Sequence, residues 1–484
     1  MEEGNNLMEK AGRNEKRMTA TRRGFLQATS AAGVFWIPAT RLFGQALPPV
    51  SKQVRFAIIG AGGIGYGTRR LLSAGGGTCV ALCDTDEVAL AKQLKDCPGV
   101  PTFVDYREML DKIGNEFDAV AVATPDHTHA WITIECLLRG KHVYCQKPLA
   151  HSVEECELMT EVQKKTGLVV QMGNQGHPGS KRYAKLLQMN AWGPITEIHA
   201  WTSTRRVATL GEKTYPKPIP WNASYPCAKN WDLWCGPAPD HGYSRAFAPT
   251  MWRDWWDYSS GQLGDMGVHT LDPLFDVFEI GMPVSVKAEV TPPVTIAYQK
   301  QSRIVMKFAP GKRFPNGISL TWHEGGLKPA MVKGAHPKLQ YAQDGLLMCG
   351  EKMMTLAGSH SSPPIVIAET GHDWNDSSKA LQTKYTKLAR YTYPGSLHYR
   401  EFIDAARAGD PEKCESKPSY SAPLTEAMQV ANIALRFPGR ELAFDWKKLR
   451  FSNCPEANAF LRAPSRDDWN FKKLVPDVRT RFSV

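Results

Sequence analysis

The chain has 484 residues, 42% of them hydrophobic and 22% charged, which is enough apolar material for two or three packed domains and too much for a disordered chain. Eleven cysteines, an odd number with no C-x-x-C pair, make neither a disulfide framework nor a zinc ribbon. Residues 1–46 hold seven Lys/Arg against four Asp/Glu, which leaves +8 of the formal +11 for the remainder; that remainder has no run of five like charges, so no nucleic-acid partner is expected.

Residues 1–46 read as a signal peptide with cleavage after Ala46. A polar, charged start leads through Thr21-Arg-Arg-Gly-Phe-Leu into an apolar stretch of about 15 residues and the small-residue exit Gly44-Gln-Ala46. The stretch falls short of the roughly 20 apolar residues of a spanning helix, and no cysteine follows it, so no stable membrane anchor is expected. Arg22-Arg23 followed by Gly-Phe-Leu resembles the twin-arginine export signal. That resemblance implies the twin-arginine machinery as a partner, passage in the folded state with cofactor already bound, and a periplasmic location.

Residues 52–174 read as a Rossmann dinucleotide-binding domain. Val54 to Ile59 is a short apolar, β-branched run, as a buried parallel strand requires. It enters Gly60-Ala-Gly62-Gly63-Ile64-Gly65 and a helix over Thr68 to Ala74, and a second strand, Cys79 to Cys83, ends at Asp84. Strand, G-x-G-x-x-G, helix, strand and terminal acid in that order make a dinucleotide site. Gly60 allows the turn, Gly62 lets backbone approach the pyrophosphate, and Gly65 lets helix pack on strand. Asp84, 24 residues after Gly60, accepts from ribose hydroxyls and repels a 2′-phosphate, so NAD is expected over NADP.

The βα alternation continues. A strand over Asp118 to Ala123 ends at Thr124-Pro125-Asp-His127-Thr-His129, and a helix runs from Ala130 to Arg139. A strand over His142 to Cys145 then ends at Gln146-Lys147-Pro148, and after a helix from Val153 to Lys165 a strand over Leu168 to Met172 ends at Gly173-Asn174-Gln175. Ligands sit at strand C-termini in open α/β sheets, so these three ends should ring the nicotinamide. His127 and His129 lack a third ligand nearby and are read as cofactor-side or structural residues; no metal site is expected.

Residues 175–484 read as a second, C-terminal α/β domain for substrate and oligomerisation. Short alternating segments at Ile195 to Trp201, Val284 to Val290, Ile304 to Phe308 and Ile318 to Trp322 predict an open, mainly antiparallel sheet. Residues 192–256 carry eight of the 14 tryptophans, read mostly as packing for long loops, with some faces suited to sugar rings. Residues 327–385 read as loop-rich, and helices return at Tyr399 to Ala408 and Leu424 to Leu435. In Gly264-Asp265-Met-Gly-Val-His269-Thr-Leu-Asp272, three polar side chains fall at i, i+4 and i+7, which predicts one shared helix face. An imidazole beside a carboxylate suits a general base.

Taken together, Gly60-x-Gly62-x-x-Gly65, Ala123-Thr-Pro-x-x-x-His129-Ala, Gln146-Lys147-Pro148, Trp252-Arg253 and Gly264-Asp265-x-Gly-x-His269-x-x-Asp272 resemble the glucose–fructose oxidoreductase and inositol dehydrogenase family, Gfo/Idh/MocA. Gln171-Met-Gly-Asn-Gln-Gly-His177 and Trp231-Asp-Leu-Trp-Cys-Gly-Pro-Ala-Pro look like an exported branch of it. The resemblance implies an NAD(P)-dependent oxidoreductase of sugars or polyols, with tightly held NAD between two domains and a homo-oligomer built on the open sheet. It also implies Lys147, Asp265 and His269 as catalytic residues. Cofactor contacts carried over are Gly60, Gly62, Asp84, Thr124, His129, Gln146, Asn174, Trp252 and Arg253, to which the glycine turn and strand ends add Gly63, Ile64, Gly65, Pro125, His127 and Lys147. The family's usual Glu-Lys-Pro is Gln146-Lys147-Pro148 here, which removes a negative charge next to the lysine. Two other activities stay open at this level: a glycosidase that cleaves through transient oxidation to a keto-sugar, and a non-catalytic sugar-binding module.

Overall fold

The computed structural model describes residues 53–203, 214–220, 226–291, 296–332, 339–369 and 396–483. The export signal expected over 1–46, Trp221 of the tryptophan-rich stretch, and part of the 327–385 stretch lie outside the described residues.

A six-stranded sheet carries the N-terminal half. Its strands are β1 (Arg55–Ile59), β2 (Thr78–Cys83), β3 (Thr102–Phe103), β4 (Ala119–Val122), β5 (His142–Gln146) and β6 (Val170–Gly173), in the order β3-β2-β1-β4-β5-β6. Every pair is parallel, with Phe56 opposite Ala119 and Val120 opposite Val143, and the order is that of a doubly wound dinucleotide fold. Strands buried on both faces read as continuous apolar runs, and β4 (Ala-Val-Ala-Val) is buried throughout.

Helices α1 (Ile64–Ala74), α2 (Glu87–Leu94), α3 (Tyr106–Ile113), α4 (His129–Leu138) and α5 (Val153–Thr166) supply the crossovers. Polar side chains start several of them: Asp86 caps α2, Asp105 caps α3 and Ser152 caps α5, each accepting from a first-turn N–H. One face of the sheet is finished by a segment far away in sequence. The helix over Leu397–Ala408 packs Tyr399, Phe402 and Ile403 against Phe56, Ile58 and Tyr144, with the Tyr144 and Tyr399 rings stacked at 5.3 Å. The helix over Pro418–Ile433 lies against α5. The chain order therefore divides near 174, but the packing does not: the C-terminal segment completes the N-terminal core.

Among the described residues the second sheet has nine strands, in the order β13-β12-β11-β7-β10-β9-β8-β14-β15. These are β7 (Ile195–Thr202), β8 (Pro283–Thr291), β9 (Gln301–Phe308), β10 (Ile318–Glu324), β11 (Asp344–Gly350), β12 (Met353–Ala357), β13 (Ile365–Glu369), β14 (Glu441–Asp445) and β15 (Arg450–Phe451). It is mainly antiparallel; the exception is β7 beside β10. Three strands, β11 to β13, fall where the sequence had read as loop. β11 is buried along nearly its whole length, so it lacks the alternation by which a half-buried strand is recognised.

All eleven cysteines are free. Among the described residues no helix is long and apolar enough to cross a membrane, and no group of three His, Cys, Asp or Glu side chains stands ready to hold a metal ion.

Candidate active site

The C-terminal ends of β1, β2 and β4 open into a cavity of about 380 Å³. Its floor is Gly60, Gly62, Gly63 and Ile64; Asp84, Thr124 and Pro125 stand on the strand ends, and Trp234, Trp252 and Arg253 close it from the second sheet's side. The fit to a dinucleotide is tested by the glycine turn. A Cβ on Gly65 would stand 1.8 Å from the Gly60 carbonyl oxygen, and one on Gly60, at φ +87°, would stand 2.6 Å from the Ala123 carbonyl carbon. Only glycine lets the turn fold this tightly over the strand end and present backbone to a ligand. Asp84 accepts from the Gly62 N–H at 2.9 Å and the Asp86 N–H at 2.8 Å, and burial pushes its pKa up to about 6. The residues present fit NAD. A larger cavity, about 720 Å³, lies under the C-terminal segment near Arg462 and Phe482 and has none of these features.

Next to the cavity, Arg253 sets its guanidinium carbon over the Trp252 ring, 4.1 Å from its centroid, and places its Nε 3.6 Å from Asp265 Oδ1. The same Oδ1 accepts from Lys147 Nζ, which also donates to the Asp265 backbone carbonyl at 2.8 Å. This is a buried ion pair, with 13% of the lysine side chain and 7% of the aspartate side chain exposed. His269 shares the site. Burial lowers its pKa well below the ordinary imidazole value, the Lys147 charge lowers it further, and Asp265 only partly opposes them. His269 is therefore neutral at neutral pH, and among the described residues its Nδ1 is buried with no hydrogen-bond partner. Lys147 and Asp265 thus pair, with His269 within the field of both charges, while Gly60, Gly62, Gly63, Ile64, Asp84, Thr124, Pro125, Trp252 and Arg253 line the cavity.

The other expected contacts are engaged with the framework. Gly65 is the packing glycine below the turn. His127 is buried, with Nε2 3.0 Å from the Trp234 carbonyl and Nδ1 3.3 Å from that of Tyr258; burial pushes its pKa down to about 3. His129 ties Thr124 to Pro148 through carbonyl bonds of 2.9 and 2.8 Å, and so braces the turn that carries Lys147. Burial opposes protonation of that ring, but Cys145, Asp126 and the Pro148 carbonyl together lift its pKa to about 9. Gln146 donates to Thr68 Oγ1 at 2.8 Å and accepts from Gln175. Asn174 spans Asp272 and Ser416.

The single helix face expected for Asp265, His269 and Asp272 is not what forms. Leu263–Gly267 is a π-turn, Val268–Thr270 is α-helical, and a new short helix begins at Asp272 with Pro273 in its first turn. Asp265 turns to Lys147, and no hydrogen bond joins it to His269. Asp272 enters a separate buried knot, accepting from Tyr420 OH at 2.6 Å and Asn174 Nδ2 at 3.0 Å and pairing with His177 Nδ1 at 3.0 Å. One residue at the site carried no sequence signal at all: His360, whose ring stacks on His269 with centroids 3.9 Å apart and planes 20° apart.

Residues 54–174 match the oxidoreductase family described as having an NAD-binding Rossmann fold, and residues 215–341 match the C-terminal alpha/beta domain of the same family; together they span half the chain. The chain belongs to the Gfo/Idh/MocA family. Among curated Gfo/Idh/MocA-like relatives, inositol 2-dehydrogenase 1 of Saccharopolyspora erythraea is 37% identical over 109 residues, 21% of this chain and 31% of that protein. An alpha-N-acetylgalactosaminidase of Shewanella oneidensis is 31% identical over 130 residues, 25% of this chain and 28% of that protein. The similarity thus spans about a third of the length of these relatives. Among solved structures, the WlbA dehydrogenase of Bordetella pertussis, in complex with NADH and UDP-GlcNAcA, superposes with a TM-score of 0.56 at 17% identity, covering 81% of this chain and 99% of that one. At that identity the likeness concerns the fold alone.

Proposed function

We propose that this Gfo/Idh/MocA protein is an NAD-dependent oxidoreductase that moves hydride between cofactor and a carbinol of a sugar or polyol. The observation that carries the reading is the pair of Lys147 and Asp265, with neutral His269 within the field of both charges, beside the glycine-floored cavity. When bound, NAD supplies the hydride acceptor. The rest is the work of the chain's own residues. His269, kept unprotonated by burial and by the Lys147 charge, takes the hydroxyl proton. Lys147 donates a hydrogen bond to the substrate oxygen as it becomes a carbonyl, and stabilises the charge that develops there. Asp265 holds the ammonium in place through its carboxylate and its backbone carbonyl. Trp252 and Arg253 wall the site on the side of the second sheet.

The assay is a panel of sugars, polyols and glycosides added to NAD-loaded protein. The expected result is growth of the reduced-nicotinamide absorbance with at least one compound. Binding of a compound with neither absorbance change nor product sinks the reading in favour of a binding module.

A second reading, cleavage of a glycoside by transient oxidation, is supported by the partial similarity to the Shewanella oneidensis glycosidase. Oxidation of one carbinol to a ketone would acidify the neighbouring C–H and let elimination expel the leaving group; water would then add across the resulting C=C, and reduction of the ketone would return the carbinol with no net redox change. Its mark is aglycone release with no net absorbance change. Export supports the same reading, because free NAD is not replenished outside the cytoplasm. We take residues 1–46 as a twin-arginine signal on the strength of Arg22-Arg23-Gly-Phe-Leu, and fractionation of cells carrying the full-length chain tests it. A homo-oligomer is likewise part of the proposal, tested by sedimentation velocity.

A further inference from the structure

We propose that His360 is the positioning residue for His269: its ring fixes the plane of the base by face-to-face packing, in place of the usual hydrogen-bonding carboxylate. The inference rests on the reading of His269 as the proton acceptor.

A histidine base is ordinarily oriented by the hydrogen bond its second nitrogen makes, which selects both tautomer and ring angle. Here that bond is missing. Among the described residues His269 Nδ1 is buried without a partner, and Asp265, the carboxylate whose charge bears on the ring, gives its Oδ1 to Lys147. What meets the ring instead is the flat face of His360, at 3.9 Å and nearly parallel.

The backbone around His360 is built to hold that face in position. His360 and Ser361 both sit at positive φ, 57° and 49°, a region non-glycine residues keep only where the surroundings over-determine it. Those surroundings are visible. Ser361 Oγ donates to Asp272 Oδ2 at 3.1 Å, Arg182 Nη1 donates to the Ser361 carbonyl at 2.9 Å, and Tyr183 OH donates to the Ser362 carbonyl at 3.0 Å. Behind His360, the absent Cβ of Gly176 would stand 2.6 Å from its carbonyl carbon, so the loop fits only against glycine. Ser359 Oγ lies 2.8 Å from His360 Nδ1 and fixes the ring's own rotation. Asp272 thus contributes to the base from a distance, as the anchor of the loop that carries its neighbour. The charged and titratable groups facing the stacked pair are Lys147, Asp265, Asp344 and His398.

The test compares His360→Phe, which keeps a flat ring without ring nitrogens, with His360→Ala and His360→Leu, which remove the plane. Two readouts are used: turnover of the NAD-loaded protein, and the pKa of His269 by NMR, assigned against His269→Gln. The expected result is a fall of about tenfold or more in kcat for the Ala and Leu variants with KM within about threefold, and a Phe variant within about threefold of the natural protein in both. The His269 pKa should rise toward the ordinary imidazole value in the Ala and Leu variants, where water reaches the exposed face, and stay low in the Phe variant. Natural kcat and pKa in the Ala and Leu variants overturn the proposal. So does a Phe variant as impaired as Ala, since the nitrogens and not the face would then matter. The NMR readout needs no turnover: if the natural protein oxidises nothing, the carbinol reading fails while the pKa series still decides the role of His360.

Discussion

Replacing Lys147 by Met keeps an unbranched chain of similar length and removes the ammonium, which separates the residue's two roles. Structurally, Asp265 loses its closest partner in a pair whose side chains are 13% and 7% exposed. Breaking a buried pair by deleting one member costs about 3–5 kcal/mol when the survivor is left alone. Asp265 is not left alone, because Arg253 Nε stands 3.6 Å away. At that separation and an effective dielectric near 20, the remaining attraction is of order 4–5 kcal/mol before desolvation is subtracted. The net loss of stability should therefore be about 1–3 kcal/mol, and the protein should fold. Chemically nothing compensates, since an arginine held over Trp252 does not occupy the lysine's place. Losing a positioned donor to a developing oxyanion costs about 10²–10³ in rate, or about 2.7–4 kcal/mol. Stopped-flow absorbance of the NAD-loaded variant measures the second quantity and urea melts the first. A Lys147→Met protein that turns over at the natural rate would refute the assignment, whatever its stability.

Three further outcomes follow from the titrations and contacts described above. Because burial and Lys147 lower the His269 pKa, kcat/KM should be level through neutral pH and fall only in acid, with a midpoint below about 6.5; a midpoint at or above that value contradicts the environment assigned to the base. Asp84→Ala strips the acceptor from the Gly62 and Asp86 N–H groups, so the KM for NAD should rise about 10–100-fold and the preference over NADP should shrink; an unchanged ratio of the two KM values counts against Asp84 as the ribose acceptor. Glu155 is buried and pushed up to about 8, so the folded protein keeps its proton where the unfolded chain has lost it, and this carboxyl subtracts stability progressively as pH rises from about 4.5 to 8. Glu155→Gln should therefore be more stable than the natural protein at pH 8, by on the order of a few kcal/mol, and not at pH 4; equal urea midpoints at pH 8 refute this.

The N-terminal sheet was legible because parallel strands under helices run apolar through their middles, as Phe56–Ile59, Cys79–Cys83, Ala119–Val122 and Val143–Cys145 do, and glycine, acid or proline follows within a few residues. Boundaries slipped where small or rigid residues hide a helix. Gly65 and Gly67 conceal the first turn of α1, and the last long helix starts at Pro418, whose fixed φ suits a first turn, and runs on through Pro423, the residue just before the expected start at Leu424. Strands β11 to β13 went unread because burial on both faces erases alternation. The return of Tyr399, Phe402 and Ile403 onto the first sheet left no local trace, because an amphipathic helix reports that it has an apolar face and not what covers it.

The same distinction governs the site. Spacing along the chain supplied Asp265, His269 and Asp272 and the family resemblance supplied Lys147, but tertiary contacts set the pairing, and they pair otherwise than spacing implies. Asp265 serves the lysine, Asp272 serves a loop, and the imidazole is left to a second imidazole from residue 360. The substitution at Gln146 shows why a neighbour in sequence is a poor guide to a neighbour in charge. Its side chain runs to Thr68 Oγ1 and Gln175, while the lysine one residue on runs to Asp265. Successive residues at a strand end point to opposite faces, so a carboxylate at 146 would have met Thr68 first and the lysine only through the field. The negative charge that holds the Lys147 ammonium comes from 118 residues away, and losing the family's glutamate leaves that pair intact.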